Sequence, residues 1–442
     1  MQVAEIHARF ILECGGVSID TRTIQPKDLF VALEGDQVDG HEYVEQAVQK
    51  GAAIVLAKKG RTLPPLDEII WVEDPLKTLQ DLAQFHRRKF TGKVIALTGS
   101  NGKTTTKELL REVLAQSFHV QATRGNYNNH IGVPLTLLSM PLNLDFAIVE
   151  MGANHQREIA FLSEICEPDY GFITNYGKAH LKGFGGVDGI IKGKSELYDF
   201  LSKHSESSVF YDVNDAMQEE RSNAIGNRIT FNCDHSSLRE ANLYCNASIS
   251  AGFLVMEWGA AAPGKTAAYE AETRLQGIYN RNNAAYAILV GRYLGVPDDQ
   301  IKEALEAYTP NMNRSQWMET DRNSIIVDCY NANPNSTQAA LEHLQSLEQT
   351  NRTLILGDML ELGEYTREEH YKILQMARTG SFAAGLFVGP KYCDLRTEFP
   401  EFMFFRDGAE AREWITQNPI EKATILLKGS RGIRLEQLIE VL

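Results

Sequence analysis

The stretch VIALTGSNGKTTTKELL (Val94–Leu110) decides how the middle of this 442-residue chain folds. Its first four residues form an apolar run typical of a buried strand, and after Gly102 apolar residues return at helical spacing. The glycine-rich turn therefore lies at a helix N-terminus, where unpaired N–H groups and the helix dipole favour a phosphate. Lys103 can reach β- and γ-phosphates, and the Thr104 hydroxyl can bind Mg²⁺. The stretch predicts a site for a nucleoside triphosphate.

The match to the general phosphate-loop motif is incomplete. Leu97 stands where the first glycine of that motif belongs, and the chain has the shorter spacing from Gly99 to Gly102. The alternative is a glycine turn followed by a merely solvated lysine. Taken alone, the loop leaves a kinase, a conformational switch and a ligase open.

Composition narrows the class of protein. The length suggests about three domains, and 43% hydrophobic with 23% charged residues is typical of a globular protein. A net charge of −14 disfavours nucleic acid or an anionic membrane as the main partner, because either requires a basic surface. Anionic substrates then need local cationic pockets.

The cysteines and the apolar segments indicate the compartment. The six cysteines form no C-x-x-C pair, so we expect reduced thiols and neither a disulfide framework nor a zinc site; they are Cys14, Cys166, Cys233, Cys245, Cys329 and Cys393. No segment reaches the roughly 20 apolar residues of a membrane span. No long amphipathic or exposed apolar segment demands a partner. We expect a cytoplasmic monomer without membrane insertion.

Apolar runs and helical segments alternate along most of the chain. Three strand-like runs precede the loop, namely Leu29–Leu33, Ala52–Ala57 and Ile69–Val72, and a helix is predicted over Thr78–Phe90. Residues 205–273 are mixed and polar, and their topology stays open. After Pro310, strand-like runs separated by helix-length segments predict a parallel sheet in a third domain: Ser324–Asp328, Thr353–Gly357, Gly385–Gly389 and Thr424–Gly429.

Polar residues end two strands near the loop. Glu150 ends the run FAIVE and Asn175 ends GFITN, so both should face the crevice of the phosphate loop. The segment NYNNHIGVPLTLL (Asn126–Leu138) precedes both strands in the sequence. Its asparagines could donate to phosphate or carboxylate oxygens, or could simply form Asx turns, and the sequence favours neither.

A carboxylate, an imidazole and a lysine are candidates for a joint role in the site. Glu150, His180 and Lys194 do not resemble a metal site, because an ammonium group repels Mg²⁺. A lysine that has reacted with CO₂ becomes a carbamate, whose oxygens suit hard cations. Taken separately, His180 reads as a hydrogen-bonded histidine and Lys194 as part of a solvated helix face.

Two acidic residues follow strands of the third domain. Asp328 opens DCYNANPNS and Asp358 lies in LGDMLELG, so both should lie at one binding edge. The alternative is that they only cap helices.

In this order, the motifs resemble the Mur ligases, the ATP-dependent ligases that build the peptide stem of bacterial peptidoglycan. The resemblance runs from Ser18 to about Arg431 through TGSNGKTTT, NYNNHIGVPLTLL, VEMGAN, NYGKAHLKGFGG, KSELY, DCYNANPNS, LGDMLELG and LKGSRG. YNANPNS with GDMLELG is typical of the member whose substrates are UDP-N-acetylmuramoyl-tripeptide and D-alanyl-D-alanine. The shorter glycine spacing is the form that this family uses.

The resemblance implies an α/β fold of three domains. They are a small N-terminal α/β domain for the UDP-sugar over residues 1–90, a central phosphate-loop ATPase with a mostly parallel sheet over 91–311, and a C-terminal Rossmann-like domain over 312–442. It implies that ATP converts a carboxylate to an acyl phosphate, which the amine of the dipeptide attacks, releasing ADP and phosphate.

The resemblance also assigns roles to residues. It implies catalysis by Lys103, Glu150, His180 and Lys194, with one Mg²⁺ on Thr104 and Glu150 and a second on His180 and carbamylated Lys194. The ATP contacts it implies are Gly99, Ser100, Asn101, Gly102, Lys103, Thr104, Thr105, Asn280, Asn283, Arg314 and Asp328. The substrate contacts it implies are Ser18, Thr21, Arg22, Gly35, Asp39 and His41 for the UDP-muramoyl group, Asn128 and Asn129 near the γ-phosphate, and Asn331, Asn333 and Ser336 for D-alanyl-D-alanine.

Three positions depart from the family pattern. Thr21 replaces a serine but keeps the hydroxyl group. Tyr279 replaces a common histidine before the adenine-side asparagine, so that stacking survives and any imidazole role is lost. Lys182 stands where an acidic residue is common, which changes the electrostatic field beside His180.

Overall fold

The structure is a computed structural model that describes residues 2–35, 37–234, 236–259, 266–310, 313–349 and 351–442. Within these residues, sheets of four, nine and six strands follow one another along the chain. This architecture confirms the α/β class and the three domains. The boundary placed after residue 90 stays a prediction, and the one after residue 311 lies outside the described residues.

The N-terminal domain is a parallel sheet whose strands pair in sequence order: β1 (Gly16–Ser18), β2 (Asp28–Val31), β3 (Ile54–Lys58) and β4 (Ile69–Val72). Its helices are α1 (Val3–Glu13), α2 (Val44–Gln49) and α3 (Pro75–Arg87), with a 3-10 turn at Gly40–Tyr43. The helix predicted from Thr78 begins earlier because Asp74 caps it, accepting from the backbone N–H of Lys77 at 3.0 Å.

The central domain contains a sheet with the order β13-β12-β11-β10-β9-β8-β5-β7-β6. Its strands are β5 (Lys93–Thr98), β6 (Val120–Ala122), β7 (Phe146–Glu150), β8 (Tyr170–Ile173), β9 (Ser208–Asp212), β10 (Asn227–Asn232), β11 (Leu243–Ser250), β12 (Phe253–Trp258) and β13 (Tyr269–Gln276). Its helices are α4 (Lys103–Leu114), α5 (Gly132–Leu138), α6 (Glu158–Cys166), α7 (Leu181–Phe184), α8 (Val187–Leu201), α9 (Ala216–Ser222), α10 (Arg281–Leu294) and α11 (Asp298–Ala307), with a 3-10 turn at Ile278–Asn280. The strands from β5 to β11 pair in parallel, whereas β12 and β13 extend the sheet antiparallel.

The C-terminal domain has the strand order β14-β15-β19-β16-β17-β18. Its strands are β14 (Gln316–Glu319), β15 (Ser324–Asp328), β16 (Arg352–Gly357), β17 (Ala384–Val388), β18 (Met403–Phe405) and β19 (Thr424–Lys428). Its helices are α12 (Pro334–Ser346), α13 (Thr366–Thr379), α14 (Pro390–Cys393) and α15 (Gly408–Gln417), with 3-10 turns at Gly363–Tyr365, Arg431–Ile433 and Leu435–Val441. All of its strands except β14 run parallel, as the sequence predicts. No helix in the described ranges combines the length and hydropathy that crossing a membrane requires.

The expectation of six reduced cysteines is wrong for one pair. Cys233 and Cys245 form a disulfide with their Cα atoms 4.7 Å apart. The last paired residues of β10 and β11 are Asn232 and Tyr244, so the two cysteines continue the register of these strands. Their spacing of 12 residues gives no signal unless this pairing is known. The other four cysteines are free.

A buried histidine pair joins the N-terminal and central domains. His86 Nε2 lies 2.9 Å from the carbonyl oxygen of Met140, which can only accept, so His86 Nδ1 accepts in turn from His7 Nε2 at 3.0 Å. Burial lowers the pKa of both histidines. That of His7 falls to about 4, with the charges of His86 and Lys89 as smaller causes. Both rings are therefore neutral in the folded protein at neutral pH.

This pair makes stability depend on pH. The folded pKa of His7 lies below the value of about 6.5 in an unfolded chain, so stability is complete above pH 6.5 and falls as the pH drops towards 4. His7→Gln keeps an N–H donor for His86 and cannot be protonated. When the pH is lowered from 7.5 to 5, the free energy of unfolding should decrease less for this variant than for the native chain. Urea denaturation at both pH values measures this difference. His119→Gln, at an exposed position, should behave like the native chain, and equal losses in all three proteins would contradict the prediction.

Candidate nucleotide and substrate site

The phosphate loop connects β5 to α4 with two glycines in the left-handed region. Gly99 has φ 141° and Gly102 has φ 79°. A Cβ on Gly99 would lie 2.0 Å from Thr174 Oγ1, and one on Gly102 would lie 2.3 Å from Asn283 Oδ1. Gly102 places no side chain over the start of α4. The first-turn N–H groups of α4 can therefore bind phosphate oxygens.

Lys103 curls back over this loop. Its Nζ donates to the carbonyl oxygens of Gly99 at 2.7 Å and Ser100 at 3.3 Å. Burial lowers the pKa of Lys103 to about 8, while Glu150 opposes this shift and Arg314 adds to it. A bound polyphosphate would supply the negative charge that this lysine lacks.

Oxygen ligands for a hard cation lie beside the loop. Thr104 Oγ1 donates to Glu150 Oε2 at 2.8 Å, and Asn128 Nδ2 donates to Glu150 Oε1 at 2.7 Å. The Glu150 residue is 1% exposed. A hydroxyl and a carboxylate at a phosphate site fit Mg²⁺.

Two asparagines of the segment Asn126–Leu138 make different contacts. Asn128 donates to the Glu150 carboxylate, and its predicted contact with the phosphoryl group stays a prediction. Asn129 instead uses its Oδ1 to accept from the backbone N–H groups of Ile131 and Gly132, at 3.1 and 2.8 Å. Its carbonyl oxygen is thus engaged in an Asx turn that begins α5.

The expected crevice at the strand ends is confirmed. Asn175 Oδ1 accepts from the backbone N–H of Asn101 at 3.1 Å, and its Nδ2 donates to the carbonyl oxygen of Asn101 at 3.0 Å. Glu150 contacts Thr104 on the same loop. The carboxyl ends of β7 and β8 therefore meet the phosphate loop at one edge.

Lys194 and His180 lie next to this cluster in different environments. Lys194 is 1% exposed, its Nζ is 3.5 Å from the carbonyl oxygen of Ala153 and 5.1 Å from the Phe184 ring centroid, and it forms no ion pair with a described carboxylate. Burial lowers the pKa of Lys194 well below its ordinary value, and the charge of Lys103 lowers it further. His180, with φ 55°, contacts Glu361 of the C-terminal domain through Nδ1. Lys194 is therefore not on a solvated helix face.

Two residues predicted to contact the adenosine, Asn280 and Asn283, are joined by a hydrogen bond. Asn283 Nδ2 donates to Asn280 Oδ1 at 2.7 Å, and Asn280 Nδ2 donates to the carbonyl oxygen of Gln276 at 2.7 Å. Tyr279, the departure noted above, donates through its hydroxyl to Ser315 Oγ at 2.9 Å. These contacts fix the start of α10 against the segment that enters the C-terminal domain.

Asp328 and Asp358 have different roles from one another. Asp328 Oδ2 accepts from Lys428 Nζ at 2.6 Å, and Oδ1 accepts from the backbone N–H of Ser315 at 3.3 Å, so it caps no helix. Asp358 accepts from the backbone N–H groups of Lys391 and Tyr392, at 2.9 and 3.0 Å. The helix-cap alternative is therefore correct for Asp358, although the helix, α14, is distant in sequence.

A side chain of the C-terminal domain, that of Asn333, forms a hydrogen bond with the phosphate loop. Asn333 Nδ2 donates to Asn101 Oδ1 at 2.6 Å. Its Oδ1 accepts from the backbone N–H of Ser336 at 3.0 Å, and Ser336 Oγ accepts from the backbone N–H of Asn333 at 3.2 Å, which caps α12. Lys178 adds an ion pair to Glu369 at 2.9 Å. Two residues predicted to receive the dipeptide are thus already engaged as a helix cap.

A cavity of about 1050 Å³ joins most of these groups. It is lined by these residues of the predicted site: Ser100, Asn101, Gly102, Lys103, Thr105, Asn128, Asn129, Glu150, His180, Asn280, Asn283, Arg314, Asp328, Asn331, Asn333 and Ser336. Gly99, Thr104 and Lys194 are not among the residues that line it. The structure therefore brings residues of the central and C-terminal domains to one space.

The residues predicted for the UDP-muramoyl group lie apart, in the N-terminal domain. Thr21 Oγ1 donates to Gln46 at 2.6 Å, Ser18 Oγ accepts from the backbone N–H of Asp20 at 3.1 Å, and Arg22 pairs with Asp20 at 2.6 Å. His41 lies 2.6 Å from Asp39 through Nδ1 and accepts from the backbone N–H of Lys58 at 3.0 Å through Nε2. Gly35 is exposed nearby. Because both ring nitrogens of His41 are engaged, the cluster of Glu34, Asp39 and His41 does not fit a metal ion.

Sequence reasoning assigned no role to several lining residues. Within LKGSRG, Lys428 ends β19 and Arg431 follows it, and Tyr330 and Glu361 follow β15 and β16. The Arg314 Cζ lies 3.8 Å from the Tyr330 ring centroid, and that of Arg431 lies 5.2 Å from it. Cationic residues at the carboxyl end of a parallel strand were the signal that could have identified the first two.

Three family models match the chain in order. The Mur ligase family catalytic domain matches residues 13–87, the Mur ligase middle domain 97–291 and the Mur ligase glutamate ligase domain 313–431. The chain belongs to the Mur ligase family. UDP-N-acetylmuramoyl-tripeptide–D-alanyl-D-alanine ligase from Bacillus subtilis is 33% identical over 96% of this chain and 92% of the relative. The ligase of the same name from Treponema pallidum is 32% identical over the same shares.

A solved structure agrees with this assignment. The crystal structure of MurF from Acinetobacter baumannii matches this Mur ligase with a TM-score of 0.84 and 29% identity, covering 96% of this chain and 92% of the other. The three-domain arrangement is therefore that of a known Mur ligase structure.

Proposed function

We propose that this Mur ligase joins D-alanyl-D-alanine to UDP-N-acetylmuramoyl-tripeptide in peptidoglycan precursor synthesis, converting ATP to ADP and phosphate. The observation that supports the chemistry is the contact of Thr104 and Asn128 with Glu150 beside the phosphate loop. The relatives support the choice of substrates. We place the enzyme in the cytoplasm as a monomer.

The reaction requires activation of a carboxylate. An ionised carboxylate has no leaving group, so its oxygen first accepts the γ-phosphoryl group and becomes part of an acyl phosphate. The amine of the dipeptide then attacks the carbonyl carbon, the tetrahedral intermediate expels phosphate, and an amide remains. The protein contributes positioning of the reactants and neutralisation of oxygen charge.

Each part of the site has a role in this scheme. The loop from Gly99 to Thr105 and the Lys103 ammonium hold the phosphates, and Thr104 with Glu150 would hold a Mg²⁺ ion that neutralises phosphoryl charge. Asn280, Asn283, Arg314 and Asp328 hold the adenosine, and Asn128 and Asn129 lie at the reacting phosphoryl group. The UDP-muramoyl group is held by Ser18, Thr21, Arg22, Gly35, Asp39 and His41, and the dipeptide lies near Asn331, Asn333 and Ser336.

We propose that Lys194 carries a carbamate that, with His180, would hold a second Mg²⁺. Burial lowers the pKa of Lys194 and so favours the neutral amine, which is the form that attacks CO₂. The Nζ–C bond forms and one proton is released, which replaces a poor magnesium ligand by two oxygens. Lys182 is exposed and contributes no carboxylate to this position.

The experiment is a phosphate-release assay with UDP-N-acetylmuramoyl-tripeptide, ATP, Mg²⁺ and a panel of amines. Release that depends on D-alanyl-D-alanine is the expected result. Equal release with meso-diaminopimelate or glutamate would show a different ligase, and ATP binding without turnover would show a nucleotide switch.

A further inference from the structure

If the chain has the function proposed above, its acceptor substrate is a dipeptide. The protein must then contact this dipeptide at both ends. Its amine must reach the activated carboxylate near Lys103, and its own carboxylate then lies about 7 Å away, the length of two extended residues. A carboxylate in a partly enclosed cavity needs a cationic partner. Neither Asn333 nor Ser336 supplies one, because both are neutral and engaged in capping α12.

Most cations that line the cavity are already committed. Lys428 pairs with Asp328 at 2.6 Å and is 2% exposed. Lys103 Nζ donates to carbonyl oxygens of the phosphate loop, and Arg314 is assigned to the adenosine in the function proposed above. Arg431 is exposed at the cavity wall and, among the described residues, its guanidinium forms no hydrogen bond or ion pair. Its guanidinium is therefore available to an anionic group of a ligand.

Two loops fix the position of Arg431. They follow the neighbouring strands β16 and β19, and they are joined because Leu360 donates its backbone N–H to Ser430 Oγ at 3.0 Å. The backbone N–H of Ser430 donates to the carbonyl oxygen of Asp358 at 3.2 Å. A Cβ on Gly432 would lie 3.0 Å from Leu360 Cδ1, so the loops are in close contact.

The first of these loops has a rigid base. His370 Nε2 accepts from the backbone N–H of Met359 at 3.0 Å, and Asp358, fully buried, holds the start of α14. Leu360 is nevertheless 40% exposed and lines the cavity beside Arg431. A cationic group next to an exposed apolar side chain matches a carboxylate next to a methyl group.

We propose that Arg431 binds the terminal carboxylate of the acceptor dipeptide, with Leu360 against the methyl group of its last residue. Arg431 is then the residue that makes this ligase select a free dipeptide acid. The planar guanidinium, stacked over Tyr330, offers two parallel N–H donors to the two oxygens.

The test compares D-alanyl-D-alanine with its C-terminal amide in the native enzyme and in variants. The native enzyme should prefer the acid by about 10- to 100-fold in kcat/KM, the range for hydrogen bonds to a charged group. Arg431→Gln should lose about this factor on the acid alone, so that its preference approaches one, and Arg431→Lys should keep part of it. KM for ATP and for the tripeptide should not change.

Arg434→Gln is the matched control. It removes the same charge three residues away at an exposed position outside the cavity lining, and it should keep the native preference. The proposal fails if Arg431→Gln keeps the native preference, or if it raises KM for ATP or the tripeptide by the same factor. Absence of dipeptide-dependent phosphate release in the native enzyme would instead refute the proposed function.

Discussion

Lys103→Ala is expected to reduce turnover by about 100-fold or more, which corresponds to about 3 kcal/mol of lost charge stabilisation. The ammonium lies 2.7 Å from the Gly99 carbonyl oxygen, over the loop that would hold the phosphates. Its removal leaves the transferring oxygens without a preorganised cation. Phosphate release at saturating ATP, tripeptide and dipeptide measures the effect.

The lowered pKa of Lys103 provides a second measurement. With a pKa of about 8, the free enzyme loses this positive charge as the pH rises through 8, so ADP affinity should fall between pH 7 and 9. The Lys103→Ala variant should lack this part of the pH dependence. Lys192→Ala, which removes an exposed lysine of the same domain, should behave like the native enzyme. Near-native turnover of Lys103→Ala would refute the assignment.

Lys194→Ala is expected to reduce activity by at least about 100-fold. Loss of a residue that only hydrogen-bonds to a metal ligand costs about 10- to 100-fold, so the loss should exceed that range. The truncation leaves a space beside Ala153 and Phe184 that a short carboxylic acid can enter. Added formate or acetate should therefore restore part of the activity. Carbon-13 NMR of native enzyme in labelled bicarbonate should show a carbamate resonance that the variant lacks.

Lys192→Ala is again the control, because this residue lies on the same helix, α8, at an exposed position. It should keep full activity and need no added acid. Intact activity of Lys194→Ala, or partial loss without recovery in formate or acetate, would count against the carbamate. A melting temperature near that of the native enzyme would show that the loss does not come from unfolding.

Parallel strands and the polar residues that follow them could be predicted from the sequence. The apolar runs ending at Glu150 and Asp328 match β7 and β15 residue for residue. Buried parallel strands are continuous apolar runs, and their ends are marked by the first polar side chain. This is why the sequence alone predicts that Glu150 faces the crevice of the phosphate loop.

The mixed segment between residues 205 and 273 could not be resolved in this way. It contains the change from parallel to antiparallel pairing at β11, β12 and β13, and exposed faces there alternate with buried ones. The Cys233–Cys245 bond depends on the same pairing. Strand neighbours are a property of tertiary structure, which a single sequence does not contain.

The sequence also could not predict whether a polar side chain binds a ligand or caps a helix. Asn129, Asn333 and Asp358 could bind a ligand or cap a helix, and only their partners decide between the two. Conversely, the guanidinium of Arg431 has no hydrogen-bond or ion-pair partner among the described residues, and this cannot be recognised before its neighbours in space are known.

The hydrogen bond between Asn101 and Asn333 is one of several contacts that hold the C-terminal domain against the central domain. It is accompanied by the ion pairs Lys178–Glu369 and His180–Glu361. A buried hydrogen bond between His343 and Gln276 at 2.9 Å and one from the backbone N–H of Lys182 to the carbonyl oxygen of Glu361 at 3.3 Å also join the two domains. Each hydrogen bond of this kind contributes about 0.5–1.5 kcal/mol net. Opening of the domain would break these contacts but none within a helix or strand, and Asn333 would still cap α12 afterwards. A hinge motion of the C-terminal domain therefore requires no unfolding of either domain.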